Sequence, residues 1–140
     1  MIVADTGAIV ALIDKSDRHH QALAELYREH STEWVLPWAI LPEVDYLVGS
    51  YLGPRAEEAF LTDLADGAFY IEWGREADLA RSRALARQYR ALELGLADGI
   101  VIAVAERLRA EAIATLDLRH FGAVSIKGNP ALWPRDRDAR

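Results

Sequence analysis

The chain alternates short apolar runs with longer segments in which apolar residues recur at helical spacing. Short apolar runs bounded by turn residues are typical of buried strands, and the helical spacing is typical of amphipathic helices. The pattern predicts strands at 1–4, 34–36, 69–71, 112–115 and 124–126, and helices at 8–13, 17–30, 39–48, 55–66, 75–91 and 96–108. Because strands alternate with helices, we predict α/β architecture with a mostly parallel central sheet flanked by helices.

Length and composition support one domain. The chain has 140 residues, of which 51% are apolar, and this is enough for a substantial core. Prolines and mixed charges follow residue 128, so we expect a domain over 1–134 and a flexible tail over 135–140. No apolar run approaches the roughly 18 residues of a membrane span, and no signal peptide is visible. We therefore expect a cytoplasmic protein without a membrane partner.

Cysteine content and charge exclude several classes of function. The chain has no cysteine, which excludes disulfides, thiolate metal sites and a cysteine nucleophile. The formal charge of −6 argues against a protein that coats nucleic acid non-specifically, because such proteins are usually basic. A nuclease is not excluded, because some of the 22 acidic residues could be metal ligands.

Four acidic residues stand at the ends of predicted strands or near the starts of apolar helices. Asp5 and Asp117 each follow a short buried strand, and Glu43 and Asp98 lie in the first turns of helices. Ligands of open α/β sheets bind at the carboxyl ends of the strands, so these side chains are candidates for one site. Each also has an ordinary interpretation. Taken alone, Asp5 is best explained as a helix N-cap and Glu43 as a solvated flank.

Four neighbouring carboxylates repel one another and raise each other's pKa unless a cation lies between them. Carboxylate oxygens suit Mg²⁺ or Mn²⁺, and such ions activate water for in-line displacement at a phosphodiester. In a chain with 22 acidic residues, however, a set of four arises easily by chance. The residues alone are therefore compatible with metal-dependent phosphodiester chemistry but do not require it.

The tetrapeptide Leu-Ala-Asp-Gly occurs twice and provides an internal control. At 64–67 it ends a predicted helix, so Asp66 belongs to a turn. At 96–99 it opens the most apolar helix, which would place Asp98 at a positive helix end. Gly99 lowers helix stability by roughly 1 kcal/mol relative to alanine. Close approach of a ligand or close packing of another helix would each explain this glycine.

The predicted helix at 75–91 carries five arginines against two acids, a local excess of +3. This excess makes it the best candidate in the sequence for a surface that faces phosphate groups. A solvated helix face is the more ordinary explanation of the same charges.

The motifs around the four acids resemble the PIN domain and, more narrowly, the VapC-type toxins of toxin–antitoxin pairs. The matching motifs are Asp5-Thr6, Glu43 at a helix start, Leu-Ala-Asp98-Gly-Ile-Val-Ile-Ala and Ala-Thr115-Leu-Asp117-Leu-Arg-His-Phe. The resemblance covers nearly the whole chain. It implies the strand order 3-2-1-4-5, frequent homodimers and inhibition by a cognate VapB-type antitoxin.

The same resemblance implies which residues form the site. The metal-binding and catalytic residues would be Asp5, Glu43, Asp98 and Asp117, supported in a second layer by Thr6 and Thr115. We therefore predict a Mg²⁺- or Mn²⁺-dependent endoribonuclease, the toxin of a VapBC-type pair, that cleaves RNA phosphodiesters with a metal-activated water. The arginines expected to guide the RNA backbone are Arg81, Arg83 and Arg87.

Two alternatives stay open at this point. One is a catalytically silent PIN-like module that binds RNA or protein. The other is a different Mg²⁺-dependent phosphoryl-transfer enzyme. A haloacid dehalogenase would need Asp-x-Asp after the first strand, where this chain has Gly7, and a receiver domain would need an acidic pair that is not evident here.

The aromatic residues Trp38, Tyr46 and Tyr51 lie on or near one predicted helix that has more apolar surface than its core face needs. We predict that part of this surface is buried in a homodimer or by an antitoxin.

Overall fold

The computed structural model describes residues 1–139, which form a five-stranded sheet flanked by helices. The strands are β1 (Ile2–Ala4), β2 (Trp34–Pro37), β3 (Tyr70–Glu72), β4 (Ala112–Ala114) and β5 (Ala131–Trp133). All four strand pairings are parallel, and the strand order is β3-β2-β1-β4-β5. The fold class predicted from the sequence and the implied strand order are both confirmed.

The helices of residues 1–139 account for most of the chain between the strands. They are α1 (Thr6–Ile13), α2 (His20–Glu29), α3 (Leu41–Leu52), α4 (Pro54–Ala65), α5 (Glu76–Gln88), α6 (Leu96–Leu108) and α7 (Leu118–Phe121). Shorter 3-10 helices cover Trp38–Ile40, Arg90–Leu92 and Arg135–Ala139. Within the described residues, no helix has the length and apolar character needed to cross a membrane.

The neighbouring strands β1 and β4 are buried on both faces, which explains why their sequences are continuously apolar rather than alternating. Every residue of β1 and β4 is fully buried. In the register, Val3 of β1 lies between Val35 of β2 and Ile113 of β4. The core is therefore built around the strands whose carboxyl ends carry Asp5 and the segment leading to Asp117.

The prediction of a fifth strand at 124–126 is wrong, because that strand lies at 131–133. The Ala131 N–H donates to the Glu111 carbonyl at 3.0 Å, and the Thr115 N–H donates to the Trp133 carbonyl at 2.9 Å. Prolines on both sides of the segment suggested a loop, but proline is tolerated at the boundaries of an edge strand. Residues 135–139, which the sequence assigned to a tail, form a 3-10 helix in the structure.

Helices α5 and α6 approach closely at one glycine. A Cβ added to Gly99 of α6 would overlap Ser82 Oγ of α5 and lie 2.9 Å from Ser82 Cβ. Ser82 is itself buried, so it has little room to move. Close helix packing, and not the approach of a ligand, therefore explains the glycine in this helix.

We expect Gly99→Ala to lower the free energy of unfolding by about 1–3 kcal/mol, because the added methyl group overlaps Ser82. Urea denaturation of the metal-free protein measures this change. Ser82→Gly removes the overlapping atoms, so Gly99→Ala should cost less in the Ser82→Gly background. An equal cost in both backgrounds would contradict this explanation.

Candidate metal centre

The acidic residues singled out from the sequence line one cavity of about 420 Å³ at the carboxyl ends of β1 and β4. Apolar side chains form much of the remaining wall. The lining consists of Asp5, Thr6, Gly7, Ile40, Glu43, Leu47, Ala97, Asp98, Val101, Leu116 and Asp117. Residues far apart in the chain therefore meet at the edge of the sheet where α/β proteins bind their ligands.

Asp5 is both a helix cap and a buried acid of this cavity. Its backbone N–H donates to the Ala114 carbonyl of β4 at 3.0 Å, which fixes its position at the end of β1. Its Oδ1 accepts the Ala8 N–H at 3.1 Å, and its Oδ2 accepts the Thr115 hydroxyl at 2.6 Å. The side chain thus caps α1 through one oxygen while the carboxylate lines the cavity.

Thr115 connects Asp5 to Asp117. While its hydroxyl donates to Asp5, Thr115 Oγ1 accepts the Asp117 N–H at 3.0 Å. Asp117 in turn caps α7, because its Oδ1 accepts the His120 N–H at 3.1 Å. Thr115 is fully enclosed, so this arrangement is held by the protein interior.

Glu43 and Asp98 reach the same cavity from two other elements. Each is the third residue of its helix, Glu43 in α3 and Asp98 in α6. Asp98 is partly buried, whereas Glu43 is exposed at the rim. Thr6 is buried in the first turn of α1 and also lines the cavity. The positive ends of these helices partly offset the concentrated negative charge.

The protonation of two of the carboxylates is shifted by this environment. Burial raises the pKa of Asp5 to about 6; the hydrogen bonds from Thr115 and Ala8 oppose the shift, and the charges of Asp98 and Asp117 add to it. Burial also raises the pKa of Asp98, opposed by His120 and reinforced by Asp117 and Glu43. The acids therefore interact electrostatically, and a bound cation would stabilise their charged forms.

His120 is the residue that sequence reasoning missed. Its Nδ1 lies 2.8 Å from Asp117 Oδ2 and 3.1 Å from Asp98 Oδ2. One donor atom from each of Asp98, Asp117 and His120 lies within 4.8 Å of the other two, which suits a shared metal ion. The sequence feature that could have identified His120 is the spacing Asp117-Leu-Arg-His120, which places a histidine one helical turn after an acid.

The donor atoms of the cavity fit a divalent cation. Oxygen ligands from several carboxylates suit Mg²⁺ and Mn²⁺, and an imidazole nitrogen extends the choice toward transition metals. Among the residues that the structure describes, the acids of the cavity have no ion pair with arginine or lysine. Their negative charge is thus left for a ligand to neutralise.

The arginines considered for RNA contact have different surroundings. Arg81 donates from Nε and Nη2 to the two carboxylate oxygens of Glu106, at 2.7 and 3.0 Å. This bidentate pair joins α5 to α6 and already neutralises the guanidinium. Arg83 and Arg87 are exposed on α5.

Comparison with known proteins decides the family. The family model of the PIN domain matches residues 2–127. The chain belongs to the PIN-domain family. The resemblance predicted from the four acidic motifs is thereby confirmed, and the dehalogenase and receiver alternatives do not apply to this PIN domain.

Named relatives agree with this assignment. Ribonuclease VapC26 of Mycobacterium tuberculosis is 32% identical over 123 residues, which cover 88% of this chain and 91% of that protein. The crystal structure of M. tuberculosis VapC20, a sarcin–ricin loop cleaving toxin, matches with a TM-score of 0.80 at 17% identity, covering 91% and 98% of the two chains. A toxin–antitoxin complex from Klebsiella pneumoniae gives a TM-score of 0.66 at 22% identity, covering 89% and 92%. At these identities the two structures show a shared PIN fold.

We expect the stability of the metal-free PIN domain to fall with rising pH because of Asp5. The pKa of Asp5 is about 6 in the folded protein, above its ordinary value of 3.8. The stabilisation that follows from this difference is fully present below pH 3.8 and is lost as the pH rises through about 6. The amide at position 5 of the Asp5→Asn variant does not titrate in this pH range. Between pH 4.5 and 7.5, wild type should lose about 2 kcal/mol relative to this variant.

Urea denaturation in EDTA at the two pH values measures this difference. The variant retains the other carboxylates, so the comparison removes their titration except for the part coupled to the charge of Asp5. A difference between wild type and Asp5→Asn that does not change with pH would contradict a raised pKa for Asp5.

Proposed function

We propose that this PIN domain is a Mg²⁺- or Mn²⁺-dependent endoribonuclease and the toxin of a toxin–antitoxin pair. The observation that carries the proposal is the convergence of Asp5, Glu43, Asp98 and Asp117 on one cavity. The name of the relative VapC26, a ribonuclease, supports RNA as the substrate. The acidic lining supports a divalent cation, because among the described residues these carboxylates have no arginine or lysine partner, and only His120 lies against two of them.

The side chains of the cavity have distinct roles in this proposal. Asp5, Glu43, Asp98 and Asp117 would hold the cation, with Glu43 reaching it from the exposed rim. When bound, a divalent cation supplies activation of water and neutralisation of charge on the phosphate. Thr115 positions two of the acids through its hydroxyl. The reaction joins a water oxygen to phosphorus and breaks a phosphorus–ribose oxygen bond, and the departing oxygen leaves as a hydroxyl group.

Cation binding also reduces the electrostatic barrier to RNA. Two divalent cations add four positive charges to the formal charge of −6 and leave −2. Arg83 and Arg87 then supply exposed positive charge for the RNA backbone. Arg81 is not needed for this role, because its guanidinium is bound by Glu106.

Asp98→Asn tests the metal site without changing the shape of the side chain. Removing one charge relieves repulsion, so the metal-free variant should melt at a higher temperature than wild type. Mn²⁺ at millimolar concentration should raise the melting temperature of wild type by ligand linkage, and this rise should shrink in the variant. Cleavage of RNA with Mg²⁺ or Mn²⁺ should fall by at least about tenfold, and EDTA should abolish it in wild type.

Asp66→Asn is the matched control, because Asp66 occupies the same tetrapeptide at the end of α4 and does not line the cavity. It should leave the response to Mn²⁺ and the cleavage of RNA unchanged. Full metal-dependent cleavage by Asp98→Asn would refute the assigned role of Asp98. Cleavage by wild type that persists in EDTA would refute metal dependence altogether.

A homodimer and an antitoxin are the partners that we propose, and exposed apolar surface beside the site supports them. Trp38 stacks on Trp73 with 4.7 Å between ring centroids, and both line a cleft together with Leu79 and Leu96. All four of these side chains are about half exposed or more. Tyr46 lies elsewhere, in a depression with Asp45 and Glu57, so the aromatic surface grouped from the sequence is divided between two places.

We propose that a second copy of the chain covers the cleft. Trp73→Glu places a charge in the cleft at a position 66% exposed, so it should weaken self-association by at least about tenfold while leaving stability nearly unchanged. Sedimentation equilibrium measures the self-association of wild type and of Trp73→Glu. Tyr51→Glu is the control, because Tyr51 is 75% exposed and does not line the cleft. Wild-type protein that stays monomeric at high micromolar concentration would rule out this dimer.

A further inference from the structure

The imidazole of His120 points a buried nitrogen between two carboxylates of the cavity. Nδ1 lies 2.8 Å from Asp117 Oδ2 and 3.1 Å from Asp98 Oδ2. The nitrogen is inaccessible to solvent, and both contacts lie at ion-pair distance although neither has the alignment of a hydrogen bond. A buried polar atom without a hydrogen bond requires an explanation, because leaving one unsatisfied costs free energy.

The distances from His120 Nδ1 to the two carboxylate oxygens resemble the spacing of neighbouring ligands around one ion. Neighbouring ligands of an octahedral ion with bonds of about 2.1 Å lie about 3.0 Å apart. Such ligands direct their lone pairs at the ion and not at each other, which accounts for short contacts without hydrogen-bond alignment. The two measured distances from His120 Nδ1 fall on either side of this value.

The remaining contacts of Asp117 and His120 hold the imidazole against two carboxylates that line the cavity. Asp117 uses Oδ1 to accept the His120 N–H, so its Oδ2 faces the imidazole. Thr115 Oγ1 accepts the Asp117 N–H, and the fully enclosed Phe121 anchors the other end of α7. The histidine is therefore placed by the same contacts that place the acid.

We propose that His120 Nδ1 binds the divalent cation directly, beside Asp98 and Asp117, and makes the site prefer Mn²⁺ over Mg²⁺. This inference rests on the metal site of the proposed function. It assigns a nitrogen ligand in addition to the four acids. Mg²⁺ strongly favours oxygen ligands, whereas transition-metal ions also accept imidazole, so one nitrogen shifts the preference between them.

Pulsed electron paramagnetic resonance of the full chain loaded with Mn²⁺ alone tests this directly. A nitrogen bound to Mn²⁺ produces a ¹⁴N coupling, and labelling the protein with ¹⁵N-histidine should replace it with a ¹⁵N coupling. The coupling should disappear in His120→Gln. It should persist in His20→Gln, because His20 Nδ1 instead contacts the Ala11 carbonyl at 3.0 Å.

Metal selectivity gives a second measurement that does not depend on activity. His120→Asp replaces the nitrogen by an oxygen ligand and should retain Mg²⁺ binding. The ratio of the Mg²⁺ to the Mn²⁺ dissociation constant, measured by calorimetry, should fall by on the order of tenfold in this variant. An unchanged ratio would overturn the selectivity assigned to His120.

The outcomes separate the inference from the proposed function. Bound Mn²⁺ without a histidine coupling would overturn direct ligation and leave the carboxylate site intact. Failure of wild type to bind Mn²⁺ would refute the metal site itself, and the inference with it. If His120→Gln does not fold, the ¹⁵N-histidine signal of wild type still decides ligation, with variants of the other three histidines, His19, His20 and His30, identifying its source.

Discussion

The hydrogen bond from the Thr115 hydroxyl to Asp5 joins the ends of the neighbouring strands β1 and β4, and the geometry of the cavity depends on it. Both residues are almost completely buried, so the contact is shielded from water. Such a bond favours the charged form of Asp5, which burial otherwise opposes. Because Thr115 Oγ1 also accepts the Asp117 N–H, one hydroxyl fixes two acids and, through α7, His120.

Three acids at the contact between α5, α6 and β3 have arginine partners, and this separates them from the acids of the cavity. Arg107 donates to Asp78 and to Glu72, and Arg81 donates to Glu106. Burial opposes the ionisation of Asp78 and Glu106, but the arginines outweigh it and hold the pKa of each below its usual value. In the cavity, burial raises the pKa of Asp5 and Asp98, and no guanidinium among residues 1–139 reverses the shift. Acidic residues therefore form structural ion pairs in one part of the protein and are candidate metal ligands in another.

The points that the sequence predicted wrongly or left open depend on contacts between distant segments. The fifth strand was displaced because two prolines outweighed the apolar run at 131–133, whose pairing with β4 is not encoded locally. Arg81 was assigned to RNA from the local excess of arginines. Its partner Glu106 lies 25 residues away, so the sequence pattern did not indicate their ion pair. The two explanations of Gly99 were separable only once Ser82 of α5 was seen against it.

The sequence by itself determined the alternation of strands and helices, the parallel sheet and the four acids that are candidates for the site. The spacing of apolar residues and the position of an acid at the end of a strand are local properties of the chain. It also determined the family through the motifs around those acids. Only the tertiary structure decided which atoms meet: the Thr115 hydroxyl with Asp5, the imidazole of His120 with two carboxylates, and Trp38 with Trp73. These contacts depend on the packing of segments far apart in the chain, and no local pattern specifies the distance between their side chains.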